Sequence, residues 1–516
     1  MSSNLRVVLW PYLLACVVSI LALCAGWYWL GKPVPLADAA SASHKLQCAS
    51  YTPFAKDQSP FDPGFRIRPE QVDADLKLLS ARFSCIRTYS MTGLENIPAV
   101  ARKYGLKVML GAWVNANPLD TGKEIDALVK SANANPDVVS AVIVGNETLL
   151  RKEMTGTQLA ALIRKVKGQV KQPVTYADVW EFWDQYPQVA PAVDFLTIHL
   201  LPYWEDQPLG IDDALAHVAA VREAFGKKYA PKDILIGETG WPSEGRQRET
   251  ALPSRVNEAR FIRTFATMAE QHGWHYNLIE AFDQPWKRTN EGAVGGYWGL
   301  FDADRQDKGV LEGPVSNLPL WPRWLGLSVL LMAAALLLAG PVRSARSALL
   351  APPLAALGAA CIGVWGETSW VDARFFGEWV WMGALVLLNL LVLVWALLGL
   401  ASRQGWRERL YGWLHLRRAW WLSMAGFAAA VMMLAMVFDP RYRSFASSSL
   451  LLPALVFAWR PVRGPVNELK LLMAIVVVGI VIQLLREGFE NQQAWCWALV
   501  CAVMGVGLWR SVTRAS

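Results

Sequence analysis

Hydrophobic and polar positions follow two different patterns along the chain. Between residues 44 and 320, short runs rich in β-branched and aromatic residues alternate with stretches whose apolar positions have helical spacing. The first pattern is typical of buried β-strands, and the second predicts amphipathic helices. Eight strand-like runs are present, at residues 46–54, 85–90, 107–114, 138–147, 173–179, 194–204, 234–241 and 277–286. Eight strands that alternate with helices predict a (β/α)8 TIM barrel of the α/β class, whose carboxyl strand ends build the functional site.

The remainder of the chain consists mainly of long apolar runs. Residues 7–30 carry no charged side chain, and seven more apolar runs lie near 324–341, 348–366, 377–400, 420–438, 446–459, 467–485 and 491–509. About 20 residues of helix cross a bilayer core, so these runs predict eight membrane spans, of which 446–459 is the shortest. We therefore divide the chain into an N-terminal anchor and linker at 1–43, a barrel at 44–320 and an all-α membrane domain at 321–516.

The charged residues indicate how these spans are oriented. The net charge is +7, and residues 321–516 contribute 17 basic and 8 acidic side chains to it. Loops and termini assigned to one side hold 13 Lys and Arg residues, whereas the short loops on the other side hold four. The positive-inside rule then places the barrel outside the cytoplasmic membrane. Excess positive charge in the most apolar region favours the lipid bilayer, and not a nucleic acid, as a partner.

Two processing questions stay open at this point. Small residues at 37–43 allow cleavage after the first span, although its length favours an uncleaved anchor. Of the seven cysteines, only Cys48 and Cys85 lie outside apolar runs, and they can form a disulfide if the barrel is exported. The Cys and His residues have no metal-ligand spacing, so we expect neither a metal nor a cofactor.

Carboxylates, amides and aromatic residues follow the predicted strands. Glu147 closes the fourth strand in AVIVGNE, and Glu238 closes the seventh in ILIGE. Strands four and seven lie on opposite sides of a barrel mouth, so the two carboxyl groups can face each other across a ligand. Paired carboxylates suit the cleavage of a glycosidic bond, in which one protonates the leaving oxygen and the other attacks carbon or activates water.

The same segments resemble a known enzyme family. KDILIGETGWPSEG (232–245) closely resembles the nucleophile segment of glycoside hydrolase family 17, the β-1,3-glucanase family, and VGNE (144–147) resembles its general-acid segment. IRTYS (86–90) and FDQPWK (282–287) resemble its second and eighth strand regions. The resemblance covers residues 45–305 and is closest to bacterial membrane-bound members of the β-(1,6)-glucan synthase or glucanosyltransferase type. It implies Glu238 as nucleophile and Glu147 as acid/base. It also implies a bacterial inner membrane, with the barrel on the periplasmic face.

Further residues are candidates for binding a sugar. Aromatic faces stack on sugar rings and polar groups bond their hydroxyls, which selects Tyr89, Asn146, Tyr176, Trp180, Trp183, Tyr203, Trp241, Trp286 and Lys287. The resemblance implies that Asn146 bonds the sugar 2-hydroxyl and that Lys287 supports the site together with Glu291. The aromatic residues can instead fill gaps at the barrel rim. We interpret His199 as a hydrogen-bonded strand-end residue, and we expect burial or the Glu238 charge to raise the pKa of Glu147.

These observations predict a membrane-bound, retaining enzyme acting on β-glucan. We favour a glucanosyltransferase that remodels or branches β-1,3-glucan, with β-1,6 linkage as an option, because aromatic acceptor sites exclude water. The alternatives are a β-1,3-glucan hydrolase and a non-catalytic glucan-binding sensor linked to a synthase. A processive glycosyltransferase is disfavoured because the loops after residue 320 are too short for a nucleotide-sugar domain. The membrane domain exceeds what an anchor needs, which suggests a glucan synthase or export partner.

Overall fold

The computed structural model describes residues 3–39, 45–62 and 64–514 of the 516-residue chain. The chain divides into two compact units. The barrel unit consists of Val34–Glu244 and Thr250–Val315. The helical unit consists of Met1–Pro33, with the first helix α1 (Ser3–Gly31), Gly245–Glu249 and Ser316–Ser516. The small-residue stretch at 37–43 lies partly outside the described residues.

Eight parallel strands form a closed barrel in which each strand pairs with its sequence neighbours, and β8 pairs with β1. This topology confirms the expected α/β barrel fold. The strands are β1 (Leu46–Ser50), β2 (Phe83–Arg87), β3 (Lys107–Ala112), β4 (Val139–Asn146), β5 (Val174–Val179), β6 (Leu196–His199), β7 (Ile234–Thr239) and β8 (His275–Leu278). They are shorter than most of the runs predicted from sequence, because several runs continue into the loops that carry the site.

Helices connect the strands on the outside of the barrel. They are α2 (Pro69–Ser80), α3 (Ile97–Lys103), α4 (Pro118–Ala134), α5 (Gly156–Lys167), α6 (Trp180–Gln185), α7 (Ile211–Lys228) and α8 (Arg255–His272), and the short α9 (Arg288–Glu291) follows the last strand. Local sequence fixes several of their ends. Thr155 and Gln158 form a reciprocal capping box at the start of α5. Gly273 ends α8 with a φ of 64°, a conformation that costs glycine little.

The disulfide between Cys48 and Cys85 joins neighbouring positions of β1 and β2. These two residues belong to a buried cluster with Met109, Ala141, Ile143, Ala177 and Leu235. Side chains two positions apart on a strand point the same way, so Ser50 and Arg87 share the face of Cys48 and Cys85. They form the next layer toward the carboxyl ends of the strands, where the site lies.

The pairing of the strands is irregular near their carboxyl ends. Register shifts occur between Ile143 and Asn146 on β4, between Ile198 and His199 on β6, and beyond Ile236 on β7. Such bulges change the direction in which side chains point, and they are frequent beside active sites. Strand alternation alone therefore does not give the direction of the side chains that follow.

The helical unit contains α1 together with eight later helices. These are α10 (Trp321–Ala339), α11 (Ala345–Asp372), α12 (Phe376–Leu398), α13 (Trp406–Leu416), α14 (Arg418–Phe438), α15 (Ser447–Trp459), α16 (Val466–Glu487) and α17 (Gln492–Thr513). Among the described residues, seven helices, all except α13 and α15, are long and apolar enough to cross a membrane. They coincide with seven of the eight spans expected from sequence.

The remaining expected span, at 446–459, differs from a simple transmembrane helix. Helix α15 has 13 residues and is about 20 Å long, whereas a bilayer core is about 30 Å thick. Arg443, before α15, lies 3.6 Å from Glu378 in the first turn of α12. Arg460, after α15, bonds the carbonyl of Ala396 near the end of α12 at 3.3 Å. The segment 443–460 therefore runs along almost the whole of α12, partly as non-helical backbone.

Candidate active site

Glu147 follows β4 in an unusual backbone conformation. Its φ is 51°, and the preceding Gly145 has a φ of 89°. A side chain other than glycine in this left-handed region is strained, and such strain is common at functional sites. A Cβ atom at Gly145 would lie 2.7 Å from the hydroxyl of Thr148, so the turn needs glycine there. The turn presents the Glu147 side chain at the barrel mouth with 25% of its surface exposed.

Glu238 lies inside the barrel mouth on β7 and is 4% exposed. Its Oε1 accepts hydrogen bonds from the Tyr89 hydroxyl at 2.8 Å and from Arg87 Nη1 at 3.2 Å. Arg87 also donates from Nη2 to the amide oxygen of Asn146 at 2.5 Å. A carboxylate oxygen of Glu147 lies within 4.8 Å of one on Glu238. The structure thus brings together the two glutamates predicted from sequence.

His199, at the end of β6, lies between the two glutamates. Its Nδ1 is 3.0 Å from Glu147 Oε1, and its Nε2 is 3.6 Å from Glu238 Oε1. The ring is fully buried. The expectation of a hydrogen-bonded strand-end residue therefore holds, but its partner is a candidate catalytic carboxylate.

The pKa of Glu147 differs from the expectation. Burial raises it, but the hydrogen bond and charge of His199, and then the positive charges of Arg151 and Arg87, lower it more. The net result is a pKa below the ordinary value of a glutamate, not above it. The prediction was wrong because His199 is adjacent in space and not in sequence.

Lys287 belongs to a second group of charges at the mouth. Its ammonium donates to both oxygens of Glu280, at 2.7 and 2.8 Å. Burial raises the pKa of Glu280 to about 7, and burial also raises that of Glu291 to about 7, although Lys287 opposes both shifts. The structure therefore places Lys287 as a counter-ion for buried acids.

Four of the predicted sugar-binding aromatic residues are fully buried and have no open ring face. Tyr176, Trp183, Tyr203 and Trp241 are each 0–1% exposed. The Trp183 ring N–H donates to the carbonyl of Thr197, and the ring packs on Tyr176. The Trp241 ring N–H donates to the carbonyl of Leu252, and the ring packs against Tyr203. Their predicted role as stacking surfaces is corrected to packing beneath the site, because the loop side chains turn inward.

Two other predicted aromatic residues are partly accessible. Trp286 meets Phe54 and the exposed Phe61 edge to face, with ring centroids 6.0 and 5.6 Å apart. Phe61 is 69% exposed and was not selected from the sequence. Trp180 is half-buried and donates to Glu205 at 3.4 Å. These two places offer aromatic surface outside the glutamate pair.

Three ligand-type side chains meet at the site, so a metal ion is a chemical option. Glu147, His199 and Glu238 each offer one atom, and these atoms lie within 4.8 Å of one another. Arg87 lies 3.2 Å from Glu238 and 3.5 Å from His199, so a fixed positive charge already faces the same groups. The expectation of a site without metal stays a prediction.

Arg87 is a residue of the candidate site that the sequence analysis did not select. It is buried and contacts both the Glu238 carboxylate and the Asn146 amide. The sequence does contain a signal for Arg87. It ends an apolar strand two positions before Tyr89, so the two side chains lie on the same inward face. Buried arginines of this kind are paired with acidic groups.

The known proteins that are similar to this chain have glycoside hydrolase or glucosidase names, which agrees with the pair of glutamates at the site. Residues 48–299 match the family model described as the BtgE/BtgC glycoside hydrolase domain. A glucan 1,3-beta-glucosidase of Arthroderma benhamiae is 28% identical over 258 residues, which cover 46% of this chain and 82% of that protein. A glucan 1,3-beta-glucosidase of Schizosaccharomyces pombe is 29% identical over 255 residues, which cover 45% of this chain and 77% of that protein. These relatives are fungal, and the bacterial membrane-bound type named from sequence stays a proposal.

A solved structure is similar to part of the chain. The glycoside hydrolase family 17 β-1,3-glucanosyltransferase from Rhizomucor miehei is 26% identical, with a TM-score of 0.45. The alignment covers 51% of this chain and 96% of that structure. The similarity is confined to about half of the chain.

Proposed function

We propose that the barrel unit is a retaining β-glucan-active enzyme, with Glu238 as nucleophile and Glu147 as acid/base. The observation that carries this proposal is the distance of at most 4.8 Å between a carboxylate oxygen of each glutamate. Retaining enzymes hold their carboxyl groups about 5–5.5 Å apart, whereas inverting enzymes leave about 6.5–9.5 Å for a water molecule. The BtgE/BtgC match and the glucan 1,3-beta-glucosidase relatives support β-1,3-glucan as substrate.

The reaction proceeds in two displacements. Glu238 attacks the anomeric carbon, the glycosidic bond breaks, and its electron pair stays on the leaving oxygen, which takes a proton from Glu147. The Glu147 carboxylate then takes a proton from an incoming hydroxyl, whose oxygen attacks the same carbon and releases Glu238. Asn146, whose amide oxygen is held by Arg87, presents its NH2 group to the sugar 2-hydroxyl.

The glycosyl group is transferred to a second sugar in this proposal. The covalent ester conserves the energy of the cleaved bond, so transfer needs no activated sugar. The accessible rings of Trp286 and Phe61, and of Trp180, are suited to hold an acceptor where water would otherwise attack. The products are elongated or branched β-1,3-glucans, including β-1,6-linked ones. Hydrolysis is the second candidate, and the glucosidase names of the fungal relatives favour it.

We further propose that the helical unit lies in a membrane and that the barrel lies outside the cytoplasm of a bacterial cell. Seven apolar helices and the basic bias of one set of loops support this location. The disulfide between Cys48 and Cys85 also fits an oxidising compartment. The division at 1–43, 44–320 and 321–516 belongs to the same proposal, as does a glucan synthase or export partner, which co-purification from membranes would identify.

Product analysis tests the proposed activity. The full-length protein in detergent is incubated with laminari-oligosaccharides, and products are examined by mass and linkage analysis. Products longer than the substrate, or new β-1,6 linkages, support transfer, and shortened products alone support hydrolysis. Glu238→Gln and Glu147→Gln should abolish turnover while sugar binding persists, whereas Glu270→Gln on the exposed face of α8 should have no effect. A wild-type protein that binds glucan without turnover would refute the enzyme and favour a sensor.

A further inference from the structure

Helix α13 is short and lies in a segment rich in charge. It has 11 residues and is therefore about 16 Å long, too short for a bilayer core of about 30 Å. Residues 402–418, which include the helix, carry five arginines and one glutamate. In the chain, α13 lies between α12 and α14, which are both long and apolar enough to cross a membrane. It therefore connects two proposed spans on the side that holds the basic loops.

Contacts near both ends of α13 hold it across the ends of two longer helices. Near its start, Arg407 donates to the carbonyls of Leu338 at 2.9 Å and Leu337 at 3.2 Å, in the last turn of α10. Near its end, His415 Nδ1 lies 3.4 Å from the ring nitrogen of Trp395, in the last turn of α12. Because α10 and α12 are separated by one span, they end on the same side of the proposed membrane. The axis of α13 therefore runs along the membrane surface.

The face of α13 that points away from the bundle is exposed and mainly apolar. Trp406, Arg409, Trp413 and Leu416 are all exposed. Their spacing of three, four and three residues places these side chains on one face of the helix. Leu414 lies on the other face and is buried in the core of the helical unit. The helix is thus held to the bundle by one face and presents two tryptophans, a leucine and an arginine on the other.

This exposed face continues into the outer surface of a proposed span. The ring centroid of Trp413 lies 6.1 Å from that of Trp421, in the first turn of α14, and the neighbouring Trp420 is exposed. Tryptophan is enriched where hydrocarbon meets the lipid headgroups, because its ring is apolar and its N–H is polar. A helix with tryptophan and leucine on one face and basic residues beside them is typical of the interfacial plane.

The arginines of this segment differ in the partners that they have. Arg403 is paired with Glu408 at 2.9 Å. By contrast, the side chain of Arg409 has no hydrogen bond or ion pair with any residue that the structure describes. Arg417 donates to the carbonyl of Trp413 at 3.2 Å and forms no ion pair with a described residue. Two exposed guanidinium groups at or beside the apolar face therefore have no acidic partner in the described part of the protein.

We propose that α13 is an interfacial helix that binds anionic phospholipid in the cytoplasmic leaflet. Its tryptophans and Leu416 lie at the boundary between headgroups and acyl chains, and Arg409 and Arg417 bind the lipid phosphates. A guanidinium fork matches the oxygens of a phosphate. A zwitterionic headgroup carries its own cation, so only a net anionic lipid neutralises the two arginines. The inference rests on the proposed membrane location and is independent of the two glutamates.

Native mass spectrometry of the full-length protein in detergent tests this lipid preference. Phosphatidylglycerol and phosphatidylcholine with the same acyl chains are titrated in turn, and the lipids retained on the protein are counted. An arginine near an anionic surface strengthens binding about fivefold, so Arg409→Gln combined with Arg417→Gln should lower the affinity for phosphatidylglycerol about 30-fold. Retention of phosphatidylcholine should not change. Arg66→Gln combined with Arg68→Gln removes the same charge from two exposed arginines of the barrel unit and should have no effect.

The outcomes separate this inference from the proposed membrane location. A wild-type protein that does not enter lipid vesicles when detergent is removed would refute the location itself. A protein that enters vesicles but retains the two lipids equally, or whose double variant keeps its affinity for phosphatidylglycerol, would overturn the inference alone. Release of phosphatidylglycerol by inorganic phosphate, but not by chloride at the same ionic strength, would show a site for free anions and would also overturn it.

A second measurement uses only the wild-type protein. Amide hydrogen exchange of residues 403–417 is compared in bilayer discs of phosphatidylcholine with and without phosphatidylglycerol. Bound anionic lipid should slow exchange in α13 several-fold and leave α8 of the barrel unit unchanged. Equal exchange in the two kinds of disc would overturn the proposal. Slow exchange that needs a co-purified polypeptide and persists without phosphatidylglycerol would assign the exposed face to a protein partner instead.

Discussion

Removal of the Tyr89 hydroxyl tests whether Tyr89 orients the Glu238 carboxylate. The hydroxyl donates to Glu238 Oε1 at 2.8 Å and also contacts Ser50 Oγ at 2.6 Å. Arg87 donates to the same Oε1, so Oε2 is the oxygen that we expect to attack the sugar. Tyr89→Phe keeps the ring beneath the Arg87 guanidinium, 4.5 Å away, and deletes only the hydrogen bond. Ser50 retains its contact with Asn277, at 2.7 Å.

The magnitude follows from the kind of hydrogen bond that is lost. A bond to a charged group contributes about 1.5–3 kcal/mol, and each 1.36 kcal/mol changes a rate by tenfold. We therefore expect kcat/KM to fall by about 10- to 150-fold in Tyr89→Phe. Because the nucleophile is needed whatever the leaving group, a laminari-oligosaccharide and a dinitrophenyl β-laminaribioside should lose rate by the same factor.

Initial rates of the full-length protein on both substrates check this prediction. Tyr104→Phe is a matched control, because its hydroxyl donates to the Asp73 carboxylate at 2.8 Å away from the site. The control should keep wild-type kcat/KM. A Tyr89→Phe rate within about 3-fold of wild type, or unequal losses on the two substrates, would refute the reasoning that Tyr89 orients the nucleophile.

Three further predictions concern stability and substrate length. Replacing Cys48 and Cys85 together by Ala should lower the thermal unfolding midpoint of the barrel, because a cross-link across 37 residues contributes about 3–4 kcal/mol of loop entropy; an unchanged midpoint would contradict this. Trp286→Ala should raise KM more for longer laminari-oligosaccharides than for short ones in the same rate assay, and an equal rise would remove it from the acceptor site. Lys308→Met should destabilise the barrel by about 3–5 kcal/mol, because it leaves two buried acids, Asp283 and Glu258, without their shared ammonium partner at 3.1 and 3.3 Å. Burial already raises the Glu258 pKa to about 8, and loss of Lys308 raises it further, so the decrease in unfolding midpoint caused by the substitution should become larger as the pH rises through about 8; a decrease that becomes smaller there would be inconsistent.

The barrel could be predicted from sequence because its signals are local. Each strand is a short run of branched apolar residues, and helices such as α8 carry both an N-cap serine and a terminal glycine. The turn at Glu147 could also be anticipated, since glycine precedes it in VGNE. The segment 443–460 was harder to describe, because its extended part is stabilised by contacts with α12 that hydropathy does not register.

The site was predictable only in part because its contacts join distant strands. Glu147 and Glu238 were identified from their motifs, but the low pKa of Glu147 depends on His199, which is 52 positions away. The sequence left the aromatic residues on strand ends open between binding a sugar and packing at the barrel rim. Trp241 turns inward to bond a carbonyl, and nothing in its local sequence specifies that direction.

Arg87 links the two halves of the proposed chemistry through the geometry of its guanidinium. One nitrogen donates to Glu238 and to the carbonyl of Gly237, and the other donates to Asn146. The nucleophile on β7 and the amide that precedes Glu147 on β4 are therefore fixed relative to one rigid plane. A lysine would supply the charge from a single atom and could not hold both strands at these angles. The distance between the two glutamates, on which a retaining mechanism depends, is thus set by a residue that does not take part in the bond changes.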